Sequence, residues 1–129
     1  MEVKTHLAIS QTLCGTILQA GPPLAIVELD LLDSMSADDT GLVHGGFIFG
    51  AADYAAMAAV NDANVVLASA NVRFLHPSRV GEKLHFEARV DVIEGRKYAV
   101  SVTGRNTSRA EVFAGTFTCV VPKRHVLDS

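Results

Sequence analysis

The stretch that most constrains this chain is a run of 22 residues from Gly41 to Asp62. It reads GLVHGGFIFGAADYAAMAAVND, in which a His-Gly-Gly turn leads into a proline-free segment with alanine at seven places between Ala51 and Ala63. This composition favours a helix. Its side chains are small and apolar nearly all round, so we expect the rest of the chain to wrap it.

One carboxylate, Asp53, interrupts this apolar helix. Residues three and four positions away share its face, and these are Phe49, Gly50, Ala56 and Met57. An ionised acid in such surroundings costs free energy, so its pKa is expected to rise. Enzymes prepare a general base in this way, and a structural acid satisfied by backbone groups would show the same pattern.

The length of 129 residues predicts a single domain, 1–129, with a core of its own. No apolar run reaches the length of a membrane span, and the amino terminus lacks the pattern of a signal peptide. Cys14 and Cys119 are too far apart to indicate a metal-binding pattern or a disulfide framework. We therefore expect a soluble cytoplasmic protein that has no membrane partner.

The charges are unevenly distributed along the chain. The net charge of −3 argues against general nucleic-acid binding. Up to Val72, Lys4 is the only basic residue against eight acids, whereas ten basic residues and six acids follow from Arg73 onward. Two interpretations remain open: solvated strand faces and hairpin tips, or a basic patch that meets an anionic ligand such as a phosphate-bearing cofactor.

The rest of the chain reads mostly as strands. A weak amphipathic helix is expected at 4–13, ended by Gly15, then an extended piece at 16–20 and strands at 24–32, 65–75, 84–92, from 98, and 112–121. In the strand at 65–75 the apolar residues alternate with Ser69, Asn71 and Arg73. In the strand at 84–92 the apolar residues are expected to face inward, and these are Leu84, Phe86, Ala88, Val90 and Val92. The economical packing is an α+β fold in which one curved antiparallel sheet of five to six strands wraps the long central helix.

Four sequence features together carry a family resemblance. They are G-x-x-H-G-G, an Asp nine residues after the His, a strand ending in R-F-L-x-P, and V-G-E. From Ile26 to Val121 the chain resembles the hotdog-fold acyl-CoA thioesterases of the phenylacetate-degradation type. The resemblance implies a homodimer, often a dimer of dimers, with two active sites at the dimer interface. It implies no separate cofactor, because coenzyme A is part of the substrate. No metal is expected, since the histidines other than His44 are scattered with no pair at metal-ligand spacing.

The resemblance also implies roles for single residues. Asp53 is expected to act as general base or nucleophile, and the backbone N–H of Gly45 to bind the thioester carbonyl oxygen. His44 is expected to shape the turn more than to transfer protons. Many relatives carry Asn six residues before this His; here Asp38 stands instead, so it either places the substrate or caps the loop.

The chain itself offers an independent reason to expect an interface site. Gly45 and Asp53 are eight residues apart, which along a helix is about 12 Å. A reacting carbon must lie within roughly 3 Å of both the oxyanion donor and the attacking group or its water. One helix cannot supply both groups, but two helices facing each other across a two-fold axis can.

Other residues are candidates for contacts with the substrate. Gly46 lets the substrate approach the helix start, where unpaired N–H groups favour negative charge. Phe49 and Met57 line an acyl pocket or belong to the core. For the phosphates of coenzyme A, Arg79 and Arg96 are the candidates, because a guanidinium grips phosphate through two hydrogen bonds.

Two other functions are alternatives to thioester hydrolysis. The segment VNDANVVLASANVRF also resembles the ligand-sensing hotdog domain of the bacterial repressor of fatty-acid synthesis, which binds an acyl-CoA without hydrolysing it. That regulator lacks an acid equivalent to Asp53, which favours the enzyme here. A hotdog hydratase would need a closely spaced Asp and His in a polar loop after a strand, and no such pair follows the strands of this sequence.

Overall fold

The computed structural model describes residues 1–128 as one antiparallel sheet wrapped around one long helix. The helices are α1 (Gln11–Cys14) and α2 (Gly45–Val60), with a 3-10 turn at Asp33–Met35. The strands are β1 (Thr16–Gln19), β2 (Leu24–Asp30), β3 (Val66–Phe74), β4 (Lys83–Glu94), β5 (Lys97–Asn106) and β6 (Glu111–Val120). The predicted α+β hotdog architecture is confirmed. Within residues 1–128, no helix has the length and hydrophobicity needed to cross a membrane.

The order of strands in the sheet is β1-β2-β4-β5-β6-β3, and each neighbouring pair is antiparallel. Strands β4, β5 and β6 follow one another in the chain and pair as β4 with β5 and β5 with β6, while β4 also pairs with β2. Strand β3 follows α2 and crosses to the far side of the sheet, where it pairs only with β6. It therefore forms one of the two sheet edges, opposite β1.

Helix α2 is buried along its second half, and its first half is more open. From Ala51 to Val60 every side chain except that of Asp53 is buried. The largest fully buried partners in the core are Phe86, Phe113 and Phe117. In the first turns Gly46 is exposed, and Phe49 and Gly50 are half-buried. The expectation of a helix wrapped all round therefore holds for the second half alone.

Two local expectations are corrected by the structure. Of residues 4–13 only those from Gln11 onward are helical, because the Lys4 N–H donates to the side chain of Asn61 at 2.8 Å and holds the amino-terminal segment in another path. Val92 is 49% exposed, because the register shifts between Val90 and Val92 and the hairpin extends past the core. On β3, where the sequence predicts an alternation and no orientation, Ala68 and Ala70 are exposed, and no segment within residues 1–128 covers that part of the edge strand.

Candidate active site

The start of α2 is held between two segments of the chain. The N–H of Val43 donates to the Ser78 carbonyl at 2.9 Å, and the N–H of His44 donates to the Met35 carbonyl at 2.9 Å. His44 is the N-cap residue, but its side chain makes no capping hydrogen bond. Within residues 1–128 the N–H groups of Gly45 and Gly46 donate no hydrogen bond. The amino end of α2 therefore presents free donors and a partial positive charge.

A cleft of about 240 Å³ adjoins this helix start, and its walls include Gly45, Ile48, Phe74, His76 and Ser78. A methyl group on Gly45 would lie 3.2 Å from Cε1 of Phe74, which is tighter than ordinary contact. A methyl group on Gly46 would lie 3.0 Å from Nε2 of His44. Glycine at both positions leaves the backbone of the helix start free of side-chain atoms, and Gly45 lines the cleft.

Asp53 lies half-buried two turns further along α2. Its Oδ1 atom is buried and has no hydrogen-bond partner within residues 1–128. Burial raises the pKa of this carboxyl from 3.8 to about 6, because the ionised form loses hydration that nothing nearby replaces. The Asp53 charge in turn contributes to the raised pKa of the Cys119 thiol, after burial itself. The pKa of Asp53 is thus raised, as expected, and burial is the cause.

Helix α2 packs across the sheet, and two contacts and one charge effect define its direction relative to β6 and β3. Gly45 lies beside Phe74, the last residue of β3. The Phe49 ring packs on that of Phe117, at 5.6 Å between centroids, and Phe117 pairs with Ala70 in mid-strand. Asp53 acts on Cys119, which pairs with Leu67 at the start of β3. Within one chain, Gly45 and Asp53 therefore lie at opposite ends of β3.

Other predicted site residues fall into different surroundings. Asp38 is exposed, and its Oδ1 accepts hydrogen bonds from the Thr40 hydroxyl at 2.7 Å and the Thr40 N–H at 2.9 Å, which lower its pKa. It caps its own loop, as one of the two alternatives for this residue predicted. Met57 has no exposed surface and belongs to the core. Phe49 is half-buried on the open part of α2.

The two candidate arginines lie far apart. Arg79 lines a cavity of about 410 Å³ whose walls also include His76 and Pro77, and these two residues belong to the 240 Å³ cleft as well. Arg96 sits in the β4–β5 hairpin, where its Nη1 donates to the Val121 carbonyl at 3.1 Å. Arg79 is thus near Gly45, whereas Arg96 lies at the other end of β3.

One residue of the cleft was missed by sequence reasoning. Ser78 is 2% exposed, and its hydroxyl has no hydrogen-bond partner within residues 1–128. In the sequence it is one more small polar residue after a proline, which is ordinary for a turn. Nothing in that local pattern separates a loop serine from one enclosed in a cleft.

Comparison with known proteins places the chain in a family. The model of the family described as the thioesterase superfamily matches residues 40–113, which include the helix start, Asp53 and the whole cleft. The chain belongs to the thioesterase superfamily.

Two proteins similar in sequence carry different descriptions. The crystal structure of an uncharacterized protein from Pyrococcus horikoshii is 44% identical, with a TM-score of 0.96 over 99% of this chain and 98% of that one. A methylthioribose-1-phosphate isomerase from Aquifex aeolicus is 49% identical over 120 residues, which make up 93% of this chain and 26% of that protein. This thioesterase-superfamily chain thus spans about a quarter of the length of that curated relative.

More distant solved structures show the fold. The PaaI protein from the phenylacetic acid degradation operon of E. coli is 20% identical, with a TM-score of 0.83 over 93% of this chain and 88% of that one. A Streptococcus mutans protein bound to acetyl-CoA is 22% identical, with a TM-score of 0.77 over 86% of this chain and 90% of that one. The resemblance to the hotdog-fold thioesterases is confirmed, with PaaI sharing the fold.

Proposed function

We propose that the protein hydrolyses an acyl-CoA thioester at a site shared by two chains, with Gly45 from one and Asp53 from the other. The observation that carries this proposal is the buried Oδ1 of Asp53, which has a raised pKa and no partner within residues 1–128. Buried polar groups without partners are rare and are often functional. A thioester and its attacking water would supply what this carboxyl lacks.

The edge strand β3 supports the two-chain arrangement. Ala68, Ser69, Ala70 and Asn71 are all exposed, so both faces of the strand are uncovered, and its outer edge is unpaired within residues 1–128. Such an edge readily pairs with another chain. Antiparallel pairing of two β3 strands about a two-fold axis brings the Phe74 end of one chain to the Leu67 end of the other.

This pairing would complete the site. The Gly45 cleft lies at the Phe74 end of β3, and Asp53 lies at the Leu67 end. In the two-fold pair, Asp53 of the partner subunit approaches the cleft of the first. The separation of about 12 Å along one helix, which prevents a site within a single chain, then ceases to matter.

The chemistry follows from these positions. The free N–H of Gly45 binds the thioester carbonyl oxygen and stabilises the negative charge that develops on it. Asp53 of the partner subunit accepts a proton from a water molecule that attacks the carbonyl carbon, and the C–S bond then breaks to release the thiol. Direct attack by Asp53 would give an acyl-enzyme anhydride that water hydrolyses to the same products. His44 serves the site by shaping the turn.

Coenzyme A would occupy the continuous surface beside the cleft. The cavity with Arg79 shares His76 and Pro77 with the cleft, so a pantetheine arm can run from Gly45 toward Arg79. Strand pairing would also bring Arg96 of the partner subunit toward the same cleft, since Arg96 lies at the opposite end of β3. The acetyl-CoA bound to the Streptococcus mutans protein supports this ligand class. We propose further pairing of dimers as a separate step, measurable by sedimentation.

Thiol release from short, medium, aromatic and long acyl-CoA esters tests the proposal, with Asp53→Asn as the variant. We expect turnover of at least one class and a loss of about a hundredfold or more in kcat/KM for Asp53→Asn. Asp91→Asn, which alters an exposed acid on β4, is the matched control and should remain within about twofold. For the unmodified protein kcat/KM should rise with pH around a midpoint near 6, because only the ionised Asp53 accepts a proton.

Two results would contradict the enzyme. An Asp53→Asn variant that stays as active as the control would remove Asp53 from the reaction. If no ester is hydrolysed, yet an acyl-CoA raises the melting temperature, the protein binds acyl-CoA without cleaving it. In that case acyl-CoA binding without hydrolysis replaces thioester hydrolysis as the proposed function.

A further inference from the structure

Two buried side-chain oxygens have no hydrogen-bond partner within residues 1–128, and they are Oδ1 of Asp53 and Oγ of Ser78. The proposed function gives a reason for the first and none for the second. Ser78 is only 2% exposed, so the chain shields a hydroxyl that it does not use. An unpaired buried hydroxyl lowers stability, and such groups persist where a bound molecule uses them.

The position of Ser78 points to that molecule. Its carbonyl accepts the N–H of Val43, two residues before Gly45, so Ser78 is fixed beside the start of α2. Ser78 and Gly45 line the same cleft of about 240 Å³, together with the ring of Phe74. Two residues that line the cleft, His76 and Ser78, have polar side chains, and of these His76 is exposed whereas Ser78 is buried. A rotation about its Cα–Cβ bond moves the hydroxyl among three staggered positions.

We propose that the Ser78 hydroxyl donates a second hydrogen bond to the thioester carbonyl oxygen held by the Gly45 N–H. This inference rests on the proposed function, which places that carbonyl in the cleft. Oxyanion sites combine backbone N–H groups with side-chain donors such as serine. The two orphaned oxygens then serve one reaction, because Asp53 of the partner subunit faces the cleft that contains Ser78.

The first test compares Ser78→Ala with Thr5→Ala as a matched control. The Thr5 hydroxyl is also buried, with 2% exposure of the residue, but it lies 2.6 Å from Nδ1 of His6 and so has a partner. We expect Ser78→Ala to lower kcat about tenfold to a hundredfold, with KM within about twofold and a melting temperature that is unchanged or higher. Thr5→Ala should lower the melting temperature and leave kcat unchanged.

Either of two outcomes would overturn the role of Ser78. One is a kcat for Ser78→Ala within about twofold of the unmodified protein. The other is a loss of kcat accompanied by a loss of melting temperature like that of Thr5→Ala, since a structural hydroxyl would behave in that way. Ser78→Cys, which keeps a weak donor of similar shape, should recover part of the lost kcat if the hydrogen bond is the cause.

A second measurement separates this inference from the proposed function, because it needs no hydrolysis. Two uncleavable analogues of the acyl-CoA are compared in binding: a ketone, in which a CH₂ group separates sulfur from the carbonyl, and a thioether without a carbonyl. Ser78→Ala should weaken binding of the ketone several-fold and leave the thioether unaffected. An equal effect on both analogues would refute the contact, even in a protein that proved to hydrolyse no ester.

Discussion

The two ends of α2 differ in whether their backbone groups find hydrogen-bond partners within the chain. At the carboxyl end, Asn61 adopts a left-handed conformation with φ of 53°, and its N–H donates to the Met57 carbonyl at 2.8 Å. Its side-chain amide donates to the carbonyls of Glu2 at 2.8 Å and Gly21 at 2.9 Å. Its Oδ1 accepts the Lys4 N–H. Every polar atom of the Asn61 side chain is used.

At the amino end the polar groups remain free. His44 provides no side-chain cap, and the N–H groups of Gly45 and Gly46 have no acceptor within residues 1–128. Helix ends are normally satisfied by caps such as Asn61. The carboxyl end of α2, closed by the hydrogen bonds of Asn61, is therefore the saturated end of the helix. The amino end keeps N–H groups that are free to bind a ligand. The contrast predicts that the first end contributes stability, and the proposed function places the reaction at the second.

The saturated end offers the largest expected effect on stability. Asn61→Ala removes three partly buried hydrogen bonds to backbone groups and places alanine in the left-handed region. We expect a loss on the order of 3 kcal/mol in the free energy of unfolding, measured by chemical denaturation. The kcat of the folded fraction should stay within about twofold, because Asn61 is remote from the cleft.

Asn61→Gly separates the two parts of that effect. Glycine adopts the left-handed conformation without strain, so the difference between the two variants is the cost of strain and the remainder is the cost of the lost hydrogen bonds. If Asn61→Gly restored full stability, the side-chain bonds would contribute nothing. If either variant lost kcat while remaining stable, the division of α2 into two kinds of end would be wrong.

The open half of the helix predicts the opposite response at Asp53. Its pKa is about 6 when folded and 3.8 when unfolded, so the folded protein binds more protons between these values. Stability should therefore fall as pH rises from about 4 to 6 and stay level above. Asp53→Asn should flatten this step and raise the free energy of unfolding at pH 8 by about 1–3 kcal/mol.

Denaturation of both proteins between pH 4 and pH 8, at equal protein concentration, measures this difference. The two unfolding free energies should converge toward pH 4, where Asp53 is protonated. A variant that is less stable than the unmodified protein at pH 8 would show that the Asp53 charge is compensated, against the unpartnered Oδ1. Asp53→Asn would in that case lower both activity and stability, and the Asp53 carboxylate would have a structural role besides its catalytic one.

The contrast between the two ends also explains what could be predicted from the sequence. Composition alone predicts α2, because the segment is rich in alanine and its side chains are small and apolar, with Asp53 as the one carboxylate. Alternation predicts the buried faces of β4 as far as Val90, until the register shift turns Val92 outward. These signals come from neighbouring residues in the sequence, and they agree with the observed packing in the parts of α2 and β4 that contact the core.

The missed features depend on contacts between distant parts of the chain. The path of residues 4–9 is fixed by Asn61, 57 residues from Lys4, and no local pattern shows this. The enclosure of Ser78 arises where the loop after β3 meets the segment before α2. The uncovered inner face of β3 looks like a core strand in sequence, since alternation reports an apolar face and not what covers it.

The smallest effect is expected at Gly50, on the same face of α2 as Asp53. A methyl group there would meet no atom within 4 Å outside its own helix, so in an isolated chain Gly50→Ala should gain up to about 1 kcal/mol from helix propensity. If a partner helix packs on this face, the methyl group instead weakens the dimer. We expect the second outcome: more monomer in sedimentation at low protein concentration, and activity that recovers as concentration rises. A variant with a higher melting temperature and an unchanged dimer would leave the face of Gly50 and Asp53 outside the interface, and the shared site would then need a different pairing of the two chains.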